Sequence, residues 1–255
     1  MDVLFLGGAF GNGSDAPWWA ERLRSFLPDA RWHFPTYFHA DDVPAVSVEA
    51  AATRVMRWMH AHAGRINYGL RVVCYSTGAQ ILRDVLARGP ACPVHIRRVV
   101  FWNAVPSGGV PLVGVARTTW AAPRSLAQSL LTGQCAVRSV EDVHRLMYSG
   151  AADRLEEAEE MLRRMHTEDM YGMVGQVFLP GMRVKLPPLP QKISIFAVAP
   201  DPDIIIGGCR YDDENVELLT TPAFGHHALI REEVMHDSDL EEIHIRAARF
   251  LLRDL

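Results

Sequence analysis

Short apolar runs alternate, along the first hundred residues, with segments in which apolar residues recur at helical spacing. The apolar runs predict strands at residues 3–6, 30–34, 70–74 and 98–102. The segments between them predict amphipathic helices at residues 16–26, 46–62 and 79–87. Buried strands that alternate with helices are typical of a mostly parallel sheet covered by helices on both faces. The fold class that we expect is therefore α/β.

The alternation breaks at residue 110, and residues 110–190 show helical stretches without a series of strands. This segment ends in Pro187-Pro188-Leu189-Pro190, which predicts a stiff linker. The earlier pattern then resumes, with strands and a last amphipathic helix predicted at residues 193–199, 216–220 and 239–252. We therefore expect one core domain, formed by residues 1–109 and 191–255 and interrupted by a helical insertion at residues 110–190.

Composition narrows the class of protein without naming a reaction. The 255 residues are 49% hydrophobic and 22% charged, which is enough apolar material for a large core without disulfides or metal ions. The formal net charge of −4 argues against a nucleic-acid-binding protein. No apolar stretch reaches the roughly 18 residues of a membrane span, and the run at residues 3–6 is too short for a signal peptide. The four cysteines form no C-x-x-C pair, which argues against zinc and thioredoxin-type chemistry. They are few and widely spaced, and we expect reduced, mostly buried thiols in a cytoplasmic protein.

The most informative segment is Cys74-Tyr75-Ser76-Thr77-Gly78, which follows a predicted strand and opens a predicted helix. A serine at such a sharp turn is raised above the sheet edge, where a base on another loop can reach its hydroxyl. The usual pattern is G-x-S-x-G, and here Cys74 takes the place of the first glycine. Ser76 is therefore the candidate nucleophile, with an ordinary helix cap as the alternative interpretation.

A histidine and two aspartates stand where the partners of such a serine are needed. His226 follows a glycine in the loop after the last short strand, and its imidazole, with a pKa of about 6.5, suits proton transfer at neutral pH. His227 is the neighbour that could be confused with it. Asp203 is the first choice for the acid and Asp201 the second, since both follow the strand at 193–199; the alternative is that they cap a turn.

The glycine-rich loop Gly7-Gly8-Ala9-Phe10-Gly11-Asn12-Gly13 follows the first strand, and the glycines that set its spacing are Gly8, Gly11 and Gly13. Its glycine spacing is G-x-x-G-x-G, which does not fit the G-x-G-x-x-G of a dinucleotide loop, so we expect no nucleotide or other cofactor. In acyl chemistry such a loop supplies one N–H to bind the developing oxyanion, together with the N–H of the residue after the nucleophile. These donors would be Thr77 and either Ala9 or Phe10, and the sequence does not decide between the last two.

These motifs, together with Asn103-Ala104-Val105-Pro106, resemble the α/β-hydrolase superfamily, in which the triad order is serine, acid, histidine. Within it the chain is similar to the small pimeloyl-acyl-carrier-protein methyl ester esterases. The resemblance implies an α/β-hydrolase fold in which residues 110–190 form the lid. It also implies a possible acyl carrier protein as partner, held by arginines of the lid, for which the candidates are Arg154, Arg163 and Arg164. Neighbouring glutamates favour instead an ordinary solvated helix face.

The sequence therefore predicts a serine hydrolase that cleaves a carboxylic ester or thioester through an acyl-enzyme. The acyl group could be free or attached to a carrier protein, as in a pimeloyl-carrier-protein methyl ester. The first alternative is an acyltransferase or cyclising thioesterase, in which an amine or alcohol captures the acyl group. The second is a non-hydrolytic lyase or a binding protein of the same fold, since a fold does not determine a function. No metal is needed in any of these.

Overall fold

The computed structural model describes residues 1–10, 18–37, 39–40, 43–44, 46–66, 69–148, 155–179, 181–190, 192–200, 205, 211, 216–221 and 237–253. Its strands are β1 (Asp2–Leu6), β2 (Arg31–His33), β3 (His39–Ala40), β4 (Val43–Pro44), β5 (Leu70–Tyr75), β6 (Ile96–Trp102), β7 (Gln134–Cys135), β8 (Glu168–Asp169), β9 (Ser194–Pro200) and β10 (Val216–Thr221). Its α-helices are α1 (Trp18–Ser25), α2 (Val48–His62), α3 (Gly78–Ala87), α4 (Leu112–Ala121), α5 (Pro123–Thr132), α6 (Val140–Tyr148), α7 (Leu155–Arg164), α8 (Gly175–Phe178) and α9 (Asp237–Leu252). A π-helical turn at Met170–Val174 precedes α8. Among the described helices none is both long and apolar enough to cross a membrane.

Six strands form one sheet in the order β10-β9-β6-β5-β1-β2, and every pair of neighbours is parallel. The chain runs outward from β1 to β2 and then returns to the other side of β1 to form β5. The strand order therefore reverses between β1 and β5. Loops that leave the carboxyl ends of two such strands diverge and open a crevice, which is where open α/β sheets bind ligands.

The sheet is covered on both faces, as the sequence predicted. Alternate strand residues point to opposite faces, so each strand contributes to two core layers. One layer packs under α2 and α3, and its strand residues include Leu4, Leu6, Val72, Cys74, Val99 and Phe101. The other packs under α1 and α9, and its strand residues include Val3, Phe5, Val73, Tyr75, Val100 and Trp102. Strands buried on both faces explain why their sequences are continuous apolar runs.

The structure confirms the six predicted strands and adds elements that the sequence pattern did not indicate. Helix α4 was not singled out, because its large apolar residues do not form a buried stripe. In α4 the buried residue is Gly114, while Leu112, Val113 and Trp120 are exposed. The two-residue pairs β3–β4 and β7–β8 are antiparallel and too short to show a period of two.

Candidate active site

Ser76 lies at the sharp turn between β5 and α3, with the strained backbone that such a turn requires. Its φ is 51°, in the left-handed region that costs a residue with a side chain about 1–2 kcal/mol. The segment after β6 holds this conformation from both sides. The N–H of Ser76 donates to the carbonyl of Asn103 at 3.2 Å, and its carbonyl accepts from the N–H of Val105 at 2.9 Å.

The start of α3 presses against the end of β1, and this contact explains the glycine after the turn. A Cβ atom on Gly78 would lie 2.2 Å from the carbonyl oxygen of Leu6 and 2.9 Å from that of Gly7. A Cβ atom on Gly8 would lie 2.9 Å from Ser76 Cβ and 3.3 Å from Ser76 Oγ. The glycine loop after β1 therefore runs directly beside the side chain of the candidate nucleophile.

Cys74, at the position of the first glycine of the pattern, belongs to the core and not to the crevice. It is fully buried in β5, where it pairs with Leu6 on one side and Phe101 on the other. Burial raises the pKa of the Cys74 thiol far above its ordinary value, so the thiol stays protonated and is a poor nucleophile. A small side chain is what this position requires.

Two buried polar side chains of α3 fix the segment that supports Ser76. Gln80 Nε2 donates to the carbonyl of Pro106, and Arg83 Nη1 donates to the carbonyl of Val105 at 3.0 Å. The Arg83 guanidinium also lies 4.8 Å from the ring centroid of Phe101. Because the same segment binds the backbone of Ser76, the strain at the turn is held by a hydrogen-bonded framework within the core.

Of the predicted oxyanion donors, Thr77 lies just before α3, where the first N–H groups of a helix have no partner within the helix. Its N–H is also close to the positive end of the helix dipole. The Thr77 hydroxyl is buried, and among the described residues it has no hydrogen-bond partner. Ala9 and Phe10 directly follow Gly8, which packs against Ser76.

The structure separates these last two candidates by a contact that the sequence did not reveal. The N–H of Phe10 donates to Glu168 Oε1 at 3.0 Å, and the carbonyl of Phe10 accepts from the N–H of His166 at 2.7 Å. Glu168 is only 1% exposed, and burial, aided by the charge of Asp169, raises its pKa to about 7. No sequence signal links Phe10 to a residue 158 positions away.

The predicted base and both predicted acids, His226, Asp203 and Asp201, lie outside the described residues, as does His227. The structure does describe the ends of β9 and β10, the strands that precede the predicted acids and the predicted base. β9 ends at Pro200 and β10 ends at Thr221, both at the same sheet edge as Ser76. The roles of these residues stay predictions.

Two of the predicted carrier-protein arginines form ion pairs within their own helix. Arg163 and Arg164 contact the carboxylate of Glu160 at 2.9 Å and 2.6 Å, and all three side chains are exposed. Arg154 lies outside the described residues. In the part of the chain that the structure describes, no three His, Cys, Asp or Glu side chains are grouped as a metal site would require.

Comparison with solved structures places this fold among known proteins. An enol-lactonase from Burkholderia xenovorans LB400 matches 98% of this chain and 90% of its own, with a TM-score of 0.63 and 13% identity. An extracellular α/β-hydrolase from a Paenibacillus species matches 98% and 97%, with a TM-score of 0.60 and 13% identity. The type II thioesterase BorB of the borrelidin biosynthetic cluster matches 96% and 92%, with a TM-score of 0.53 and 14% identity. No protein-family model matches the sequence, and neither does any curated protein sequence.

The strand order, the turn at Ser76 and these neighbours together define the class. The chain has the α/β-hydrolase fold, as the sequence resemblance predicted.

Proposed function

We propose that the protein is a serine hydrolase that cleaves a carboxylic ester or thioester through an acyl-enzyme. The observation that carries the proposal is the backbone of Ser76, held at a φ of 51° directly beside Gly8 where the strand order reverses. A strained serine at this place costs stability, and such strain is typical of functional sites. An ordinary helix cap would need neither the left-handed backbone nor the close approach of a second loop.

In the proposed mechanism Ser76 Oγ attacks the carbonyl carbon while His226 accepts the hydroxyl proton. Asp203, or Asp201 as the second choice, orients the imidazole and stabilises its charged form. The N–H groups of Thr77 and of the loop after β1 bind the oxyanion. His226 then gives its proton to the leaving alcohol or thiol. Water next attacks the acyl-enzyme with His226 as base, the bond between Ser76 Oγ and the acyl carbon breaks, and His226 returns the proton to Ser76 as the carboxylic acid leaves.

The length of chain after β10 is compatible with this role for His226. β10 lies three strands from β5, about 14 Å at the usual strand spacing. The five residues that follow Thr221, up to His226, can extend about 17 Å, which is enough to return to the nucleophile. Asp201 and Asp203 follow β9, which lies between β10 and β6 and so closer to Ser76.

The substrate class rests on what the fold neighbours do and on the chain's own crevice. An enol-lactonase and a thioesterase both cleave an acyl group from an oxygen or sulfur atom, and the proposed site has the groups needed for either. We assign residues 110–190 the place of a lid, because His166 and Glu168 of this segment contact the loop beside Ser76. Whether the acyl group is free or attached to a carrier protein is decided by the experiment below, which compares the two substrates.

The experiment is hydrolysis of p-nitrophenyl butyrate and of a butyryl thioester by the wild type, Ser76→Ala and His226→Ala. We expect turnover of at least one substrate by the wild type and a loss of about 10³-fold or more in each variant. Turnover of neither substrate, or equal turnover by Ser76→Ala, would contradict the proposal. The same acyl group on an acyl carrier protein tests the partner, since equal kcat/KM for the free and carried ester would exclude specific recognition of the carrier.

A further inference from the structure

Both backbone polar groups of Phe10 are held by one short stretch of the insertion. The N–H of Phe10 donates to Glu168 Oε1 at 3.0 Å, and its carbonyl accepts from the N–H of His166 at 2.7 Å. These two bonds join the loop after β1 to a segment almost 160 residues further along the chain. The loop end is therefore fixed by the insertion and not by the sheet from which it emerges.

Ala9 stands between two points that cannot move freely. On one side Gly8 packs against Ser76 so closely that a Cβ atom there would lie 2.9 Å from Ser76 Cβ. On the other side Phe10 has a φ of 68°, a left-handed conformation that a residue with a side chain keeps only when its surroundings impose it. The hydrogen bond that Phe10 donates to Glu168 and the one that it accepts from His166 are the described contacts that hold this conformation.

Burial of Glu168 at this place disfavours the charged form of its carboxyl group. Its carboxyl group is 1% exposed on β8, opposite Cys135 of β7 and next to Asp169. Burial, followed by the charge of Asp169, raises its pKa to about 7, while the hydrogen bond from Phe10 lowers it. A buried carboxyl group that pays desolvation beside a candidate site is typical of a functional role. In the structure this carboxyl group accepts a hydrogen bond from the N–H of Phe10.

We propose that Glu168 is a positioning residue of the oxyanion loop, residues 7–10: its carboxyl group holds Phe10, so that the N–H of Ala9 joins that of Thr77 at Ser76. This inference rests on the proposed function, because it assigns a place to the oxyanion. It decides between Ala9 and Phe10, since the N–H of Phe10 is already engaged by Glu168. It also gives one residue of the insertion a positioning role, although no insertion residue touches the reacting atoms in the proposed mechanism.

The test removes the acceptor in one variant and keeps it in another. Glu168→Ala removes it, Glu168→Met removes it while filling the space, and Glu168→Gln keeps an oxygen that can accept from Phe10. Glu160→Gln is the matched control, because it removes an exposed carboxylate of the same insertion that pairs with Arg163 and Arg164 of its own helix. Each variant is measured for kcat and KM on p-nitrophenyl butyrate and for hydrogen–deuterium exchange at the amide of Phe10.

We expect Glu168→Ala and Glu168→Met to speed exchange at Phe10 at least tenfold and to lower kcat about 10- to 100-fold, with KM within about threefold of the wild type. Glu168→Gln should restore both to within about threefold, and Glu160→Gln should move neither beyond that range. A folded variant without the acceptor that keeps kcat, or raises it, would overturn the inference. Equal impairment of Glu168→Gln and Glu168→Ala would also overturn it, because the activity would then depend on the charge of Glu168 and not on its hydrogen-bond acceptor.

Two results remain decisive if the acceptor-free variants do not fold. Fast exchange at Phe10 in the wild type would overturn the inference without any variant, and slow exchange there would support the contact. Failure of the proposed function has a different signature. A wild type that hydrolyses neither ester nor thioester would contradict the proposed hydrolase. Equal rates of ester hydrolysis by the wild type and Glu168→Ala would contradict only the role of Glu168.

Discussion

The unfolding free energy of Glu168→Gln should increase relative to that of the wild type as the pH rises. The carboxyl group is 1% exposed, and burial raises its pKa from an ordinary 4.5 to about 7. Below pH 4.5 the group is protonated in both the folded and the unfolded chain, so burial carries no charge penalty. Between about pH 4.5 and pH 7 the unfolded chain ionises at this group while the folded chain keeps its proton, so the unfolding free energy falls steadily; above pH 7 both states are ionised and the loss is complete.

The size of this effect follows from the two pKa values. The wild type should lose about 2.5 kcal/mol of unfolding free energy between pH 5 and pH 8 through this one group. Glu168→Gln cannot ionise, so the difference in unfolding free energy between variant and wild type should shift by that amount in favour of the variant. The amide also keeps an oxygen for the N–H of Phe10, so the contact with the loop is not lost.

The assay is urea unfolding followed by tryptophan fluorescence at pH 5 and pH 8, for the wild type, Glu168→Gln and the control Glu160→Gln. The control shows how much of the pH response comes from removing an exposed carboxyl group of the insertion. A difference between wild type and Glu168→Gln that is the same at both pH values would refute the reasoning. It would mean that Glu168 is not buried against the loop as the structure has it.

Three further results are expected. Gly78→Ala should lower the free energy of unfolding in urea by about 3 kcal/mol or more, because the added Cβ would collide with the end of β1. Gly64→Ala, which has open space around it, should change that free energy by less than about 1 kcal/mol, and equal effects of the two variants would contradict the close packing at the turn. Ser76→Gly should be about 1 kcal/mol more stable than Ser76→Ala, since glycine relieves the strain of the left-handed backbone; no difference would argue against that strain. Asp203→Asn should lower kcat about 10⁴-fold and Asp201→Asn little, and the reverse result would assign the acid to Asp201.

The turn at Ser76 could be predicted because its requirements are local in the sequence. An apolar strand, a serine, a small residue and an amphipathic helix follow one another within 18 residues, from Leu70 to Ala87. The two-sided sheet could be predicted for the same reason, since buried parallel strands are continuous apolar runs. Helix α4 could not, because Trp120 is 85% exposed and its apolar neighbours do not form a stripe.

The choice of oxyanion donor could not be predicted, because it depends on a tertiary contact. Phe10 and Ala9 are both backbone donors in one loop, and nothing in their side chains distinguishes them. What does so is Glu168, whose sequence neighbours include many exposed charges and which therefore looks like one more solvated carboxylate. Its burial becomes visible only when β8 pairs with β7 and the segment from residue 166 to residue 168 meets the loop.

The most direct measurement of the central claim is labelling with a fluorophosphonate probe, followed by mass spectrometry of the intact protein and its peptides. The probe phosphonylates an activated serine, so the wild type should gain one adduct, and the modified peptide should carry it on Ser76. Ser76→Ala and His226→Ala should remain unlabelled under the same conditions. A wild type that takes no label, or a Ser76→Ala variant that takes it as readily, would contradict the assignment of Ser76 as the nucleophile.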